Sequence, residues 1–334
     1  MKMRLNGILG GGLSALLCLS AVAQTVAPVK SSQKASPAKV SAPQRIDLAN
    51  NAPRVQNLFT NLDRISSRSY QLKPDQTVRV LLDEGISSAK IKHTGTVYVY
   101  ALDGDMRRYK FNQPGVLSAK IKKGKVHVGW ISSAKAVVID PQDGVSLTFK
   151  RRVYNGMLVL IPREGTMRVV EHVNLEDYLL GVVGYEMSPS WPLESLKAQA
   201  VAARTFARIK MQDKSAHYDL RNTPADQIYK GVADIADSVK QAVSQTHGQV
   251  LMYNNKLLPA FFHASCGGHT LNGKVLMGRK APPPLRGVSC PSHAKVSGHR
   301  VGMCQEGAKV LAQRKHTYRA ILNHYFPGAE LKTL

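Results

Sequence analysis

Glu186 is an acidic side chain in apolar surroundings, with no second acidic residue beside it. Its neighbours along the chain include five apolar or aromatic residues: Val182, Val183, Tyr185, Met187 and Trp191. Burial raises the pKa of a carboxyl group, and a carboxylic acid that stays protonated near neutral pH can act as a general acid. Two structural roles are the alternatives, since Glu186 could cap the following helix or pair with Arg204. These surroundings make Glu186 a candidate general acid.

A second set of reactive side chains lies between residues 263 and 304. These are residue types that bind metal ions: His263, Cys266, His269, Cys290, His293, His299 and Cys304. Their spacing is not a paired Cys-x-x-Cys pattern. Three states therefore stay open, namely a Cys266–Cys290 disulfide, tetrahedral zinc and free thiols. We assign no metal ligand and no cofactor, with zinc as the alternative.

Glu186 lies between segments that have helical signals. VNLEDYLLGVV has apolar residues at helical spacing after Asn174, which is a favourable cap, and Pro192 suits the first turn of a second helix. DIADSVKQAVSQTHG predicts a third helix that ends at Gly248, and the sequence near Tyr318–Tyr325 predicts a last one. Between these two, an Asn254-Asn255 turn predicts a hairpin.

The segment before these helices has a different pattern. From Thr77 onward, short runs of β-branched residues alternate with turn residues, and Asp103-Gly104 is a strong hairpin signal. We predict an α+β fold in which a β-rich portion, residues 76–169, continues into a mixed helix and strand portion, residues 170–334.

The amino terminus predicts export. Residues 1–23 combine a basic start, an apolar run and Ala21-Val22-Ala23, and they resemble a signal peptide. If the peptide stays uncleaved, it is the one membrane contact that we expect. Residues 24–75 are predicted to form a disordered basic linker. We expect the protein in the periplasm or cell envelope.

The charge of the chain predicts an anionic partner. The sequence has 46 Lys and Arg against 22 Asp and Glu, a net charge of +24. Nucleic acid, anionic lipid and acidic polysaccharide all fit such an excess. Because an exported protein does not meet genomic nucleic acid, we expect no nucleic-acid partner.

Seven blocks between about Val170 and Leu334 resemble the SpoIID/LytB family of peptidoglycan-active proteins. They occur in the family's order and are LEDYLLGVVGYEM, WPLESLKAQAVAARTFA, DQIYKG, AVSQTHGQVLMYNN, FFHASCGGHT, GHRVGMCQEGA and YRAILNHYFPGAEL. The resemblance implies a lytic transglycosylase that cleaves glycan strands stripped of their peptides, in wall remodelling during division or development. It places the catalytic acid at Glu186.

The resemblance also implies a set of residues that bind the substrate. A denuded strand has a free lactyl carboxylate on every muramic acid, which suits basic side chains. The expected binding residues are Arg204, Lys197, Gln227, Tyr229, His263, Gly267, Gly268 and His299. For Lys197 and Arg204, a solvated helix face or a structural salt bridge is the alternative. Gly267 and Gly268 are expected to form a tight turn with positive φ.

One departure from the family pattern bears on turnover. Relatives have a long β-rich stretch between the Gly-Gly turn and the block GHRVGMCQEGA, whereas here SCPSHAKVSGHR joins them almost directly. We expect this shortening to affect turnover more than glycan binding. The alternative function is therefore a non-catalytic protein that binds denuded glycan and stimulates an N-acetylmuramoyl-L-alanine amidase. Such an amidase is the expected functional partner in either case.

Overall fold

The computed structural model describes residues 45–46, 75–103, 106–213 and 217–334. The predicted signal peptide lies outside the described residues, as does the predicted linker apart from residues 45–46 and residue 75. Arg45–Ile46 form a two-residue strand, β1, that pairs with the later strand β5.

The β-rich portion consists of twelve further strands. They are β2 (Thr77–Ile86), β3 (Ser88–His93), β4 (Val97–Ala101), β5 (Arg107–Phe111), β6 (Gly115–Lys122), β7 (Lys125–Val128), β8 (Ile131–Ser133), β9 (Val137–Pro141), β10 (Leu147–Phe149), β11 (Arg152–Tyr154), β12 (Met157–Arg163) and β13 (Thr166–Asn174). β4 and β5 pair antiparallel on either side of Asp103-Gly104, which confirms the predicted hairpin.

The second portion contains the helices and six short strands. The helices are α1 (Leu175–Glu186), α2 (Leu193–Lys210), α3 (Asp237–Gln245), α4 (Lys274–Met277), α5 (Gln305–Gln313) and α6 (Tyr318–Tyr325). The strands are β14 (Leu220–Arg221), β15 (Gln249–Tyr253), β16 (Lys256–Leu257), β17 (Phe262–His263), β18 (Met303–Cys304) and β19 (Glu330–Thr333). Helices and strands in these proportions confirm the predicted α+β class.

The strands form four sheets. Their orders are β1-β5-β4-β9-β12-β13-β2-β14, β11-β10-β3-β6-β7-β8, β16-β15-β19 and β17-β18. Neighbouring strands are antiparallel, except that β14 runs parallel to β2 and β17 runs parallel to β18. The parallel pair β17–β18 joins two segments that are distant in sequence, and both segments contribute to the site described below.

One face of the large sheet and the helices share a hydrophobic core. Alternate residues of β2, such as Val78 and Val80, belong to the same buried cluster as Leu179 of α1 and Ala203 of α2. Leu81, which points the other way, packs in a second cluster on the opposite face. The central strands are therefore buried on both sides, and α1 leaves the sheet directly from the end of β13.

Most of the predicted helices and turns are confirmed. The side chain of Asn174 caps α1 by accepting from the Glu176 amide, 2.9 Å away. Asn254 and Asn255 both have positive φ, as a tight two-residue hairpin turn requires. The sequence did not predict α5, which matters because its first residue lies at the site. Among the described residues, no helix is both long and apolar enough to cross a membrane.

Candidate active site

Glu186 is the last residue of α1, and the core fixes its position. Val182 and Val183 are fully buried one turn earlier, and Met187 is buried just beyond the helix. Tyr185, which was expected to help form an apolar wall, is instead 43% exposed. The side chain of Glu186 is half-buried at this helix end. The carboxylate is therefore held at the boundary between core and solvent.

Two hydrogen bonds orient the Glu186 carboxylate. The Ile228 amide donates to Oε1 at 2.8 Å, and Nε2 of Gln305 approaches Oε2 at 3.4 Å. Burial raises the pKa of Glu186 above its ordinary value, while these two hydrogen bonds oppose the rise by favouring the charged form. The rise prevails. No charged neighbour among the described residues contributes to this pKa shift.

A buried pair of amide side chains lies beside the carboxylate. Gln305, at the start of α5, also approaches Gln199 of α2, with 3.5 Å between Nε2 and Oε1. Gln199 is fully buried, and its Nε2 has no hydrogen-bond partner among the described residues. The carboxylate of α1 is thus connected through Gln305 to both α5 and α2.

Glu186 has neither of the two structural roles considered from the sequence. Helix α2 begins after Pro192 without any side-chain cap. Arg204 pairs with Glu176 instead, with its Nε 2.7 Å from Oε1 and its Nη2 2.6 Å from Oε2. Glu186 is therefore a half-buried carboxyl group with a raised pKa, and it has no cationic partner among the residues that the structure describes. Such a group is suited to donating a proton.

Four of the predicted binding residues make contacts within the protein: Arg204, Lys197, Gln227 and Tyr229. Arg204 is 1% exposed and also donates to the carbonyl oxygens of Val243 and Gln249. Lys197 pairs with Glu194 at 2.6 Å. Arg204 is therefore not placed to contact the substrate, because its guanidinium is bound within the core.

Gln227 and Tyr229 are fully buried on either side of Ile228. Gln227 accepts from the Tyr178 hydroxyl at 3.0 Å and donates to the Ala203 carbonyl at 3.1 Å. The ring centroids of Tyr229 and Tyr178 lie 4.9 Å apart. These two buried residues fix the backbone whose Ile228 amide donates to Glu186. They therefore position the site from within the core and do not line it.

The remaining predicted residues lie in and around the glycine turn after β17. Gly267 and Gly268 both have positive φ, at 72° and 106°, as predicted. Nδ1 of His263 lies 3.2 Å from the Val301 carbonyl oxygen, and burial lowers the pKa of His263 to about 4. The half-buried ring of His299 lies 5.6 Å from that of His263. The turn and the two histidines thus form one local cluster.

The three cysteines of the described region are free and buried. The ligand atoms of His263, Cys266 and Cys304 lie within 4.8 Å of one another, so these residues are arranged as metal ligands would be. Cys304 immediately precedes Gln305, and its Sγ accepts from the Gly307 amide as the cap of α5. The cysteine cluster and the Glu186 contact therefore meet at the start of α5.

Reasoning from the sequence missed the groups that touch Glu186. Gln305 and the Ile228 amide are, respectively, 119 and 42 residues away from it along the chain. Gln199 had a visible signal, because it is an uncharged polar residue between Ala198 and Ala200 in a helix rich in small residues. A polar side chain on such a closely packed face indicates a specific partner.

Comparison with known proteins identifies the same region of the chain. Residues 163–253 match the family model described as Stage II sporulation protein, SpoIID. An uncharacterised protein of Brachyspira hyodysenteriae is 43% identical over 156 residues, which make up 46% of this chain and 42% of that protein. Stage II sporulation protein D of Bacillus subtilis is 34% identical over 138 residues, 36% of this chain and 40% of that protein.

A third relative is the amidase enhancer of Bacillus subtilis, which is 44% identical over 92 residues, 28% of this chain and 12% of that protein. The matched region spans less than half the length of each of these relatives. The family model begins in β12 and continues through α1, α2 and α3 to β15, so it contains Glu186 and the Ile228 amide. Over this region, the chain is similar to proteins of the SpoIID/LytB family.

Proposed function

We propose that this chain is an exported lytic transglycosylase that cleaves the bond between N-acetylmuramic acid and N-acetylglucosamine in peptide-free peptidoglycan strands. Similarity to the SpoIID/LytB family supports a role at the cell wall, in remodelling during division or a developmental process similar to sporulation. The observation that carries the specific activity is Glu186, a half-buried carboxyl group with a raised pKa and two orienting hydrogen bonds.

A single carboxyl group is sufficient for this reaction. Protonated Glu186 donates its proton to the glycosidic oxygen, and the bond between that oxygen and C1 of the muramic acid breaks. The C6 hydroxyl oxygen of the same sugar then bonds to C1, and its proton passes to the Glu186 carboxylate. The products are a 1,6-anhydro end and a free hydroxyl, and Glu186 is again protonated. Most hydrolytic glycosidases use a second carboxylate, which this reaction does not need because the C6 hydroxyl of the substrate is the nucleophile.

The charge of the protein supports the choice of a denuded strand. Removal of the stem peptides leaves one lactyl carboxylate on each muramic acid, so the strand is a regular polyanion. A chain with a net charge of +24 attracts such a strand over a distance of about one Debye length, about 8 Å at physiological ionic strength. An N-acetylmuramoyl-L-alanine amidase, which removes the peptides, is then the functional partner.

A second candidate function is non-catalytic binding of denuded glycan that stimulates an amidase. The similarity to an amidase enhancer favours it, at 44% identity over 92 residues. The shortened segment before His299 also fits this candidate, since a shallower cleft would still bind glycan. The two candidates share the fold and the basic charge, and they differ in whether Glu186 transfers a proton.

The deciding experiment incubates the purified protein with amidase-treated glycan strands and measures 1,6-anhydromuramic ends by mass spectrometry. We expect Glu186→Gln to lower their rate of formation by at least about 100-fold, the lower range for removal of a general acid or base. Glu306→Gln is the matched control. It removes a partly exposed carboxylate next to Gln305 that pairs with Lys309, and it should leave the rate unchanged.

One result would decide against the enzyme, and another would decide against Glu186 as its acid. If wild type and Glu186→Gln both retain denuded strands but release no anhydro ends, and if the wild type raises the rate of an added amidase, then the second candidate is correct. If both variants release anhydro ends equally, the acid lies elsewhere in the chain.

A further inference from the structure

The sheet β11-β10-β3-β6-β7-β8 has one face that is exposed to solvent and basic. On β3 and β6, every second residue is exposed, and the residues between them point into the core. Five exposed lysines lie on β3, β6 and β7, and a sixth lies in the turn that joins β6 to β7. We call these six residues the lysine face: Lys90, Lys92, Lys120, Lys122, Lys125 and Lys123.

The strand register places the five strand lysines on the same side of the sheet. Directly opposite residues of an antiparallel pair share a side, and so do alternate residues of one strand. Lys120 lies opposite Ser88 of β3, and the two lysines of β3 follow Ser88 at alternate positions. Lys122 lies opposite Lys125 of β7. Since neighbouring strands are about 4.8 Å apart, these ammonium groups form a dense array.

No acidic residue compensates the charge of the lysine face. Strands β3, β6 and β7 contain no aspartate and no glutamate. The acidic residues of the neighbouring strand β2 are paired elsewhere, Asp83 with Lys150 and Glu84 with Arg168. Among the residues that the structure describes, none of the six lysines forms a salt bridge. The lysine face is therefore a patch of uncompensated positive charge.

Three of these lysines are unfavourable for the fold itself. Lys122 and Lys125 are like charges directly opposite each other, an arrangement that destabilises a sheet. Lys123 has a φ of 50°, in a two-residue hairpin turn where asparagine, aspartate or glycine is the usual residue. The folding of this hairpin thus does not account for three lysines, whereas the binding of an anionic ligand does.

An exposed aromatic ring lies at the next turn of the same sheet. Trp130 joins β7 to β8 and is 62% exposed. Its ring stacks on Phe111, with 6.2 Å between the centroids, so the ring is fixed although solvent reaches most of it. A fixed aromatic ring offers an apolar surface to the C–H face of a sugar. Ammonium groups together with such a ring suit a polymer of charged sugars.

The same sheet also reaches the loop that orients Glu186. The Val232 amide donates to the Val153 carbonyl of the edge strand β11 at 2.8 Å. Four residues earlier in this loop, the Ile228 amide donates to Glu186. β3 is the second strand after β11 and lies roughly 10 Å from it, and β7 lies roughly 19 Å from it. A polymer spans such a distance, and a single sugar does not.

We propose that the lysine face binds a denuded glycan strand outside the cleavage site. The proposal rests on the proposed function, because it takes the same polymer as its ligand. The lactyl carboxylates of the strand supply the complementary charge. Strands β3, β6 and β7 contain no arginine, whose planar fork suits one fixed carboxylate. Lysine is a flexible point charge, so the face holds a strand in many registers and keeps it near Glu186 between cleavage events.

The test compares two fourfold variants in the Glu186→Gln background, in which the strand stays intact. The first removes four lysines of the face: Lys90→Gln, Lys92→Gln, Lys120→Gln and Lys122→Gln. The control removes the same charge from four exposed lysines outside the face: Lys135→Gln, Lys256→Gln, Lys280→Gln and Lys315→Gln.

Calorimetry measures the affinity of both variants for denuded strands at low salt. We expect the face variant to bind long strands at least about tenfold more weakly than its parent, and the control variant to stay within about twofold. A denuded tetrasaccharide is too short to reach the face from Glu186, so all three proteins should bind it alike. The face variant should be no less stable in urea than its parent, because it relieves the repulsion between Lys122 and Lys125.

A second measurement uses the unaltered lysines, so it holds even if the face variant fails to fold. Long strands should protect the lysine face of the Glu186→Gln protein from acetylation and leave Lys256 and Lys315 reactive, as read by mass spectrometry of peptides. Equal protection of both sets, or equal losses of affinity in the two fourfold variants, would overturn the proposal.

A lipid surface gives a third distinct result. If the face variant binds long strands normally but no longer binds vesicles that contain phosphatidylglycerol, the lysine face serves a membrane and the proposal is wrong. All these measurements record binding without cleavage. Failure of the lysine face therefore leaves the release of anhydro ends unaffected, and failure of that release leaves the binding result intact.

Discussion

The carboxyl group of Glu186 makes stability depend on pH in a definite direction. Burial raises its pKa in the folded protein above the ordinary value of 4.5, so the folded state binds this proton more tightly than the unfolded state does. The stability that this difference in pKa contributes is fully present below pH 4.5 and is lost as the pH rises through the folded-state pKa of Glu186. The Glu186→Gln variant has no titrating carboxyl group at this position. We therefore expect the variant to gain stability relative to wild type as the pH rises.

Urea unfolding at a series of pH values from 4 upward measures this difference. Glu306→Gln is the control and should follow the wild type across the range, because it removes a partly exposed carboxylate. A difference between wild type and Glu186→Gln that stays constant with pH, or that shrinks as the pH rises, would contradict a raised pKa at Glu186.

Gln305 acts on the same carboxyl group through its side-chain amide. Its hydrogen bond lowers the pKa of Glu186, because it stabilises the ionised form. Gln305→Met removes the donor at similar volume, so the pKa of Glu186 should rise further. If protonated Glu186 is the active form, the alkaline limb of the pH–rate profile should move to higher pH. Gln313→Met, at the exposed end of α5, should leave the limb in place.

A merely structural role for Gln305 gives a different result. The rate would then fall at every pH, and the limb would not move. The profile of anhydro-product formation therefore separates a residue that adjusts the acid from one that only packs against it.

At the level of elements, α1 packs against the loop that donates to Glu186. A Cβ added at Gly181 would lie 2.5 Å from Cε2 of Tyr229 and would overlap the Gly231 carbonyl oxygen. We expect Gly181→Ala to destabilise the protein by about 1–3 kcal/mol through overpacking, although alanine favours helix. Displacement of the loop should also lower activity, because the Ile228 amide lies in it.

Gly184 is a matched control on the same helix. A Cβ there would meet Val239 at 3.5 Å, an ordinary contact. Gly184→Ala should therefore raise the free energy of unfolding by roughly 0.5–1 kcal/mol through helix propensity alone. Thermal or urea unfolding of the two variants gives the comparison. Equal effects at Gly181 and Gly184 would show that the close approach to Tyr229 is not maintained in solution.

The pair formed by Arg204 and Glu176 ties α2 to the start of α1. Arg204 is buried, and removing one partner of a buried ion pair leaves an uncompensated charge. We expect Arg204→Ala to cost about 3–5 kcal/mol in urea unfolding. Lys240→Ala, which breaks an exposed pair with Asp237, should cost no more than about 0.5 kcal/mol. Unchanged stability with weaker glycan binding would instead support a substrate contact by Arg204.

The sequence predicted those elements whose signals are local. Asn174 as a cap, the Asn254-Asn255 turn and the helix Tyr318–Tyr325 depend on residues within a few positions of one another, and the structure contains all three. Helix α5 was missed because its cap is Cys304, which is not a typical cap residue, and its first turn contains glycine, a weak helix former.

The site was less predictable than the elements, for a physical reason. The motif around Glu186 singled out the candidate acid, but the two partners of its carboxylate come from distant segments, and only tertiary packing brings them together. The interpretation of Arg204 illustrates the same limit. Its basic side chain suggested a contact with the substrate, whereas the small residues of α2 allow close helix packing and so bury it.

On the scale of the whole molecule, charge should govern recognition of the glycan. The chain has a net charge of +24, and the proposed strand has one carboxylate per disaccharide. The Debye length falls from about 10 Å at 0.1 M salt to about 3 Å at 1 M, so the attraction should weaken steeply over that range. We expect the affinity of Glu186→Gln for denuded strands to fall at least roughly tenfold between 0.1 M and 1 M salt, as measured by sedimentation or calorimetry.

Strands with amidated lactyl carboxylates are the matched ligand for this measurement, because amidation removes the charge and keeps the sugars. Their binding should be weak at low salt and nearly independent of salt. The inactive variant prevents cleavage during the measurement, so only binding is compared. Equal affinity for amidated and native strands would mean that the protein recognises the sugars and not their charge. In that case the basic composition must serve another anionic partner in the envelope, such as an anionic lipid surface.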